Sequence, residues 1–265
     1  MSEEAEERRN LPVGFFDSGL GGLSVLKAAL QLLPDENYLY LGDSANAPYG
    51  SRPVEEIRAM TFTGIEKMRE RGIKALVIAC NTATAAAVTQ VREKYPEMPV
   101  IGIEPALRPA VVRSRGGQIV VMATPMTLRQ QKFQNLLHHF SDQAWITPLP
   151  CEGLMEFVEQ GNLEGPELDE YFHTHLDPLV TDLLESIVLG CTHYPFLRPY
   201  LRRYFAGREV ALIDGSEGTV RELRRKLAAE GLLRTGTEPG TLALYNTAGP
   251  EMADRSRRML SMPTD

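Results

Sequence analysis

Two cysteines lie in matching sequence contexts that suit proton transfer. Cys80 and Cys191 each end a short apolar run, and hydroxyl-bearing side chains follow directly. A strand that ends in this way leads into a helix, and the free amides and dipole at a helix start favour a thiolate over a thiol. Because an unperturbed thiol titrates near about 8.5, modest stabilisation would make either cysteine a usable base or nucleophile.

Any single cysteine could instead be a buried, inert residue, since free cysteine is among the most buried residue types. Two cysteines in matching contexts favour a function. The third, Cys151, lies in the polar segment 150–153 without such a context, so we interpret it as structural. An odd count without a Cys-x-x-Cys pair is not typical of a disulfide framework or a zinc site, and it fits a reducing cytoplasm.

A histidine and a glycine-rich turn add candidate groups. His193 lies two residues after Cys191 and could transfer protons or hold a carboxylate, although a hydrogen-bonded structural histidine is the alternative. The segment 17–24 contains three glycines, an arrangement that can hold an anion or simply form a tight turn. It lacks the G-x-G-x-x-G spacing, and no G-x-x-x-x-G-K-S/T motif occurs. We therefore predict no nucleotide cofactor, and no residue cluster indicates a metal site.

Short apolar runs alternate with longer amphipathic stretches along the chain. The runs predict buried strands at Val13–Phe16, Tyr38–Leu41, Ala75–Ala79, Val100–Ile103, Ile119–Met122, Ile187–Leu189 and Val210–Ile213. The stretches predict helices at Leu23–Leu33, Pro53–Arg71, Thr84–Lys94, Leu128–His139, Leu168–Leu184 and Thr219–Glu230. This order is typical of an α/β fold with mainly parallel sheets flanked by helices, in which ligands bind beyond the carboxyl ends of the strands.

The two cysteine segments also indicate an internal repeat. The run that ends at Cys80 is similar to the run that ends at Cys191, and the two cysteines lie 111 residues apart, about the length of a domain. We predict a disordered tail at 1–11, a first domain at 12–105 plus 214–265, and a second, pseudo-symmetric domain at 106–213. No low-complexity linker occurs, so the two domains should pack closely.

Composition and charge exclude several functional classes. The 265 residues are 43% hydrophobic and 24% charged, as in soluble globular proteins. A net charge of −7 argues against a basic face for nucleic acid. No window approaches the roughly 20 apolar residues of a membrane helix, and the polar, acidic start is not typical of a signal peptide. We therefore expect a cytoplasmic protein without nucleic-acid or membrane partners.

Four blocks of sequence together resemble the glutamate racemase family. They are Phe16–Ser24, Gly42–Ser44 with Pro48–Arg52, Ala79–Ala83 and Gly190–Pro195. They follow the family's order across about residues 13 to 220. The resemblance implies a cofactor-independent amino-acid racemase of two pseudo-symmetric α/β domains, with L- or D-glutamate in the cleft between them. It also implies a homodimer that supplies D-glutamate for peptidoglycan synthesis.

The resemblance assigns roles to individual residues. By position, Cys80 matches the base that takes the α-proton from D-glutamate, and Cys191 matches the base that takes it from L-glutamate. Asp17 and His193 match the residues that assist those thiols. The positions that match substrate-binding residues are Asp17, Ser18, Tyr49, Gly50, Asn81, Thr82, Thr192 and His193.

Two segments depart from the family pattern. Glu159 matches the acidic residue near the second thiol, but the segment before it lacks the family's proline, and Glu152 and Glu156 are alternatives. The turn at 124–127 reads Thr-Pro-Met-Thr where many members have Thr-x-Gly-Thr. The local structure at this turn is therefore expected to differ.

The chemistry of racemisation agrees with this assignment. Inverting a stereocentre by proton transfer is simplest with two bases on opposite faces of Cα, and two facing cysteines provide them. Without pyridoxal phosphate as an electron sink, the carbanion must be stabilised by desolvation and by hydrogen bonds to the α-carboxylate. Suitable donors are Ser18, Asn81, Thr82 and Thr192.

Two other functions remain open from the sequence. A racemase of the same superfamily could act on aspartate or another acidic amino acid, because the motifs do not fix the substrate's side-chain length. A binding protein is a different class, since some members of the family restrain DNA gyrase; the acidic charge permits such a partner without indicating it. The presence of both cysteines favours catalysis over a pure binding role.

Overall fold

A computed structural model describes residues 3–236 and 238–264 as helices and strands in alternation. The strands are β1 Val13–Asp17, β2 Tyr38–Gly42, β3 Ala75–Ile78, β4 Val100–Gly102, β5 Gln118–Ala123, β6 Trp145–Pro150, β7 Leu184–Leu189, β8 Ala211–Asp214 and β9 Leu242–Asn246. The α-helices are α1 Glu3–Asn10, α2 Leu23–Leu32, α3 Val54–Arg69, α4 Asn81–Lys94, α5 Leu107–Arg113, α6 Pro125–Arg129, α7 Gln131–Phe140, α8 Leu154–Gln160, α9 Pro166–His175, α10 Arg198–Tyr204, α11 Ser216–Ala229 and α12 Pro250–Ser261.

The strands form two parallel sheets. The first has the order β4-β3-β1-β2-β9 and the second the order β6-β5-β7-β8, with parallel pairing at each described ladder. Helices connect the successive strands, because parallel neighbours need a crossover connection. The predicted α/β class with mainly parallel sheets flanked by helices is confirmed.

The central strands are buried on both faces. Every residue of β1 and of β5 is buried, which explains why both read as continuous apolar runs instead of alternating patterns. The largest apolar cluster contains side chains of both sheets, such as Phe15 of β1 and Ile187 of β7. The two halves of the molecule therefore share a core, in agreement with the absence of a low-complexity linker.

The chain order of the strands gives a first half that is completed by the C-terminal segment. Strands of the first sheet come from 13–102 and 242–246, and those of the second from 118–214. This distribution supports our proposal of domains at 12–105 plus 214–265 and at 106–213, although Asp214 itself ends the last strand of the second sheet.

One predicted helix differs in the structure, and two strands were not predicted. The predicted helix Leu168–Leu184 is instead α9, a short 3-10 turn at Asp177–Leu179 and then β7, which begins at Leu184. Pro178 lacks the backbone N–H that a continuing helix requires. The strands β6 and β9 were not predicted, because both lie at sheet edges and are partly exposed, and β6 contains two prolines.

The N-terminal segment is helical where the sequence favoured a disordered tail. Residues 3–10 form α1, and Met1 and Ser2 lie outside the described residues. Arg8 Nη2 donates to the carbonyl of Glu97 at 3.1 Å, and Arg9 Nε donates to the carbonyl of Gly231 at 2.8 Å. These contacts are distant in sequence, so local composition could not indicate them.

A buried ion pair beside the first sheet also binds the backbone of Arg9 and of Arg234. Lys74 Nζ lies 2.5 Å from Glu36 Oε2, and the two side chains are 0% and 3% exposed. Lys74 also donates to the carbonyl of Arg9 at 2.5 Å, and Glu36 Oε1 accepts from the Arg234 backbone N–H at 2.9 Å. Burial lowers the pKa of Lys74 despite the attraction of Glu36, so the pair depends on its close geometry.

Replacing Lys74 with Met should destabilise the protein strongly. The substitution leaves Glu36 buried without its cation, which typically costs about 3–5 kcal/mol. Urea unfolding of Lys74→Met should show this loss, and Lys67→Met, at an exposed lysine of α3, should lie within about 0.5 kcal/mol of the native chain. Equal stability of the two variants would contradict the role given to this pair.

Within the described residues no helix is both long enough and apolar enough to cross a membrane.

Candidate active site

Side chains at the carboxyl ends of strands from both sheets converge on one site. Asp17 ends β1 in the first sheet, and Thr192 follows β7 in the second. Thr192 Oγ1 donates to Asp17 Oδ2 at 3.2 Å, which joins the two strand ends directly. The predicted site residues that are at least nine-tenths buried are Asp17, Ser18, Tyr49, Cys80, Asn81, Thr82, Cys191, Thr192 and His193.

Cys80 lies two residues after β3 and caps the start of α4. Its Sγ accepts from the Ala83 backbone N–H at 3.4 Å and lies 3.3 Å from Ser18 Oγ. Burial and the charge of Asp17 raise the pKa of Cys80, the bonds from Ser18 and Ala83 lower it, and the net pKa is about 12. The helix start lowers the pKa of Cys80 as expected, but burial outweighs the capping bond, so the prediction that the thiolate is favoured is wrong at Cys80.

Asp17 acts on Cys80 through its charge. Its Oδ1 accepts from the Gly19 backbone N–H at 2.7 Å, and the side chain is fully buried. Burial raises the pKa of Asp17, although the charge of His193 and the Gly19 amide lower it. Desolvation thus keeps near the thiol a carboxylate that takes up a proton more readily than an exposed aspartate does.

Cys191 is followed by a chain of polar contacts that ends on Glu159. Cys191 Sγ lies 3.6 Å from His193 Nδ1, and His193 Nε2 lies 2.7 Å from Glu159 Oε1. Burial lowers the pKa of His193, but the contacts with Cys191 and Glu159 outweigh it and the net pKa lies well above its usual range. Burial raises the pKa of Glu159, yet His193 outweighs this effect and the net pKa is lowered. The pair is therefore an imidazolium and a carboxylate.

The geometry decides between the three acidic candidates. Glu159, and not Glu152 or Glu156, makes the contact with His193. Glu159 lies near the end of α8, and its side chain is 16% exposed. Its Oε1 also accepts from the Leu20 backbone N–H at 2.8 Å, so one carboxylate oxygen holds both His193 and the glycine-rich turn.

The glycines of this turn are explained by close approach of the second sheet. A Cβ at Gly21 would lie 2.4 Å from His193 Nδ1, and a Cβ at Gly19 would lie 2.3 Å from Glu159 Oε1. Neither position could carry a side chain without moving the His193 and Glu159 pair. The turn is therefore a contact surface for the second half of the site and not a phosphate loop.

The other side of the site is lined by a loop and three threonines. Tyr49 donates to Asp43 Oδ2 at 2.7 Å, which fixes the loop, and a Cβ at Gly50 would lie 3.3 Å from Thr124 Cβ. Pairs of hydroxyl oxygens among the three threonines lie 3.0 to 3.4 Å apart; the residues are Thr82, Thr124 and Thr127. Thr124 and Thr127 were not among the predicted site residues, although Thr124 follows a predicted strand in the same manner as the cysteines.

Asn81 and Cys151 differ in their hydrogen-bond partners. Among the described residues Asn81 Oδ1 has no hydrogen-bond partner and is buried, so it is available to a ligand. Cys151 Sγ contacts the Leu149 carbonyl at 3.4 Å, and burial raises the pKa of its thiol.

In the described part of the chain no group of three or more His, Cys, Asp or Glu side chains could hold a metal ion, and His138, His139, His173 and His175 are exposed.

Comparisons with known proteins identify the family of this chain. Residues 22–223 match the Asp/Glu/hydantoin racemase family. Glutamate racemases of Clostridium botulinum strain Alaska E43 and Clostridium acetobutylicum are 46% and 48% identical over 255 residues, which is 96% of this chain and 98% and 99% of theirs. The chain therefore belongs to the Asp/Glu/hydantoin racemase family. The resemblance to the glutamate racemases within it is confirmed.

Solved structures show the same architecture. Glutamate racemase from Thermus thermophilus in complex with β-chloro-D-alanine is 35% identical with a TM-score of 0.80, and the match covers 96% of this chain and 94% of that one. Glutamate racemase from Francisella tularensis in complex with D-glutamate is 28% identical with a TM-score of 0.81, covering 95% and 94%. The two-domain α/β architecture predicted from the sequence is confirmed.

The stability that the His193 and Glu159 pair contributes should depend on pH in a defined direction. The His193 contribution is present below its ordinary pKa of 6.5 and is lost as pH rises through the higher folded pKa. The Glu159 contribution is present above 4.5 and is lost as pH falls through the lowered pKa. The difference in Tm between the native chain and His193→Gln should therefore be largest between 4.5 and 6.5 and decrease above 6.5.

The exposed His138 provides the control for this measurement. His138→Gln should give a small Tm difference across the same range, because exposed substitutions rarely change stability by more than about 0.5 kcal/mol. A Tm difference for His193→Gln that grew as pH rose above 6.5 would contradict the assigned charge states.

Proposed function

We propose that this protein interconverts L-glutamate and D-glutamate by proton transfer at Cα, with Cys80 and Cys191 as the two bases. The observation that carries the proposal is the pair of thiols at facing strand ends, each with its own acidic or basic assistant. The two are close enough that ionisation of Cys191 raises the pKa of Cys80. The names of the close relatives support glutamate as the substrate.

From L-glutamate, the Cys191 thiolate takes the α-proton and becomes a thiol, leaving a carbanion at Cα. His193 assists this step, since its Nδ1 lies 3.6 Å from Cys191 Sγ. Cys80 then gives its proton to the opposite face of the carbanion and becomes a thiolate. The raised pKa of Cys80 means that it is protonated and ready for this step.

The reverse direction begins with the Cys80 thiolate, which needs a different source of stabilisation. Asp17 repels that thiolate, but a bound amino acid brings an α-ammonium cation into the buried site. The cation offsets the charge of Asp17 and lowers the pKa of Cys80, since an opposite charge nearby favours the ionised form. Substrate binding thus completes the base on this side.

The carbanion requires hydrogen-bond donors because the mechanism uses no pyridoxal phosphate. We assign Ser18, Asn81, Thr82 and Thr192 to the carboxylates and ammonium of the substrate, together with Tyr49 and Gly50 of the loop. The nearly complete burial of these side chains makes each such bond stronger than in water. Two thiols and these donors suffice for the reaction, so no cofactor or metal ion takes part in it.

The wider role follows from the substrate. A supply of D-glutamate would serve peptidoglycan synthesis, and we propose a cytoplasmic homodimer, as the family resemblance implies.

An aspartate racemase is the alternative within the class. Circular dichroism of separate solutions of L-glutamate and L-aspartate, without added cofactor, should decay only with glutamate. For DNA gyrase no residue of the site indicates a contact, and the opposed thiols favour catalysis.

Removing either thiol should abolish racemisation. Cys80→Ala and Cys191→Ala each remove one proton-transfer group, and such groups contribute about 10²- to 10⁴-fold to rate. Cys151→Ala is the matched control, because Cys151 is equally buried and contacts its own strand; it should retain nearly full activity. Native activity in Cys80→Ala would exclude the two-base mechanism.

Solvent deuterium should enter the product and not the early substrate. The donating thiol exchanges with solvent before the amino acid binds, so product formed in heavy water should carry deuterium at Cα. A single base would return part of the abstracted proton to the product. Two opposed thiols avoid this return. One thiol cannot easily serve both faces of Cα, because a base works only within about 2.6 to 3.2 Å of its target. Substantial retention of the substrate's own α-hydrogen in the product, measured by mass spectrometry, would contradict the opposed arrangement.

A further inference from the structure

The C-terminal strand β9 carries a threonine to the edge of the active site. β9 lies beside β2 in the first sheet, and their parallel pairing brings Asn246 opposite Gly42. Thr247 therefore follows β9 at the level where Asp43 follows β2. On its other side Gly42 is paired with Asp17 of β1, so the C-terminal segment ends its strand beside the residues of the candidate site.

The loop after β2 is folded around one buried side chain. We call residues 43–52 the Tyr49 loop, since it carries Tyr49 and Gly50. Asp43 is buried, and its Oδ2 accepts from the Tyr49 hydroxyl at 2.7 Å. Asn46 Nδ2 donates to both Asp43 oxygens at 3.0 Å. The place of Tyr49 in the site therefore depends on how the Asp43 side chain is oriented.

Thr247 holds the Asp43 side chain from outside the Tyr49 loop. Its hydroxyl donates to Asp43 Oδ1 at 2.8 Å and accepts from the Ala45 backbone N–H at 3.1 Å. Its own backbone N–H donates to the Gly42 carbonyl at 3.0 Å. Leaving a buried polar group without its partner is costly, so loss of the Thr247 hydroxyl would favour another orientation of Asp43.

We propose that Thr247 is a positioning residue that fixes Tyr49 and Gly50 for substrate binding, acting through Asp43. The inference rests on the proposed racemase function, which assigns Tyr49 and Gly50 to the substrate. The contacts of Thr247 are with the Tyr49 loop and the end of β2, so its effect is on the binding of both enantiomers and not on one thiol. Thr247 and Asp43 lie 204 residues apart in the chain, which makes the C-terminal segment a part of the site's framework.

Thr247 could instead serve only to fasten an edge strand, and the other end of β9 offers a matched comparison. Thr241 Oγ1 donates to Asn37 Oδ1 at 2.9 Å, directly before β2 begins. Thr241→Val and Thr247→Val each remove one hydroxyl that joins β9 to the β2 side of the sheet, and valine keeps the branched shape of threonine. Thr247→Val alone does so at the active-site end.

The first readout is amide hydrogen exchange, measured by mass spectrometry on peptides that cover the Tyr49 loop. Thr247→Val should make this segment exchange about three- to tenfold faster, the effect of losing one hydrogen bond of ordinary strength. Peptides that cover β7 should be unchanged, because the opening is local, and Thr241→Val should leave the Tyr49 loop unchanged. An unaltered exchange rate of the Tyr49 loop in Thr247→Val would refute the proposal.

This measurement needs no activity. If the native chain failed to racemise glutamate, the proposed function would be wrong, while faster exchange in Thr247→Val would still support the role of Thr247 in holding the loop. If the native chain racemised glutamate and the loop of Thr247→Val exchanged at the native rate, the positioning role alone would be wrong.

The second readout separates KM from kcat. Thr247→Val should raise KM for L- and D-glutamate by the same factor, about three- to tenfold, with kcat nearly unchanged, because ground-state and transition-state binding weaken together. Thr247→Ser keeps the hydroxyl and should restore the native KM.

Two results would overturn the proposal. One is an equal KM in Thr247→Val and Thr241→Val. The other is a lowered Tm in Thr247→Val with a native KM, which would leave Thr247 only the role of fastening β9. If Thr247→Val does not fold, Thr247→Ala removes the same hydroxyl without placing a methyl group beside Asp43, and the same criteria apply.

Discussion

The buried contact between Glu159 and His193 is the interaction on which the rest of the site depends. A charged pair in a dry site persists only if both partners are held closely, because each alone would lose its charge or destabilise the fold. Glu159 Oε1 satisfies this by accepting from His193 and from the Leu20 amide together. The same oxygen therefore orients the imidazole toward Cys191 and fixes the glycine-rich turn of the opposite sheet.

This constraint explains features that look unrelated in the sequence. The absence of side chains at Gly19 and Gly21 lets the turn approach the pair, and the bond from Thr192 to Asp17 closes the same gap. The described residues on the second side of the site form no such ion pair. There the threonine hydroxyls and the fixed Tyr49 loop make the contact between the halves. One side is thus held by charge and the other by neutral hydrogen bonds, which leaves room for a substrate that brings its own charges.

The sequence predicted what depends on local pattern. Buried parallel strands appear as continuous apolar runs, so the positions of β1, β3 and β7 and the cysteines after them could be found without a structure. The edge strands β6 and β9 could not, because exposure removes that pattern. Contacts between distant residues were also hidden. The Lys74 and Glu36 pair has no signal in the residues that surround it. The charge state of Cys80 was mispredicted for a related reason, since the amount of water around a thiol is a tertiary property.

The two sides of the site are unequal although the fold is built from two similar halves. Cys191 has an imidazolium backed by a carboxylate, whereas Cys80 has a hydroxyl contact and a buried aspartate. L- and D-glutamate have the same free energy in water, so kcat/KM must be equal in the two directions whatever the bases are. The inequality of the two thiols can therefore appear only in kcat and KM taken separately, or in which proton step limits the rate. Two different bases cost such an enzyme nothing in equilibrium position. The raised pKa of Cys80 keeps that thiol protonated, which is the state that a two-base exchange requires of the donating thiol.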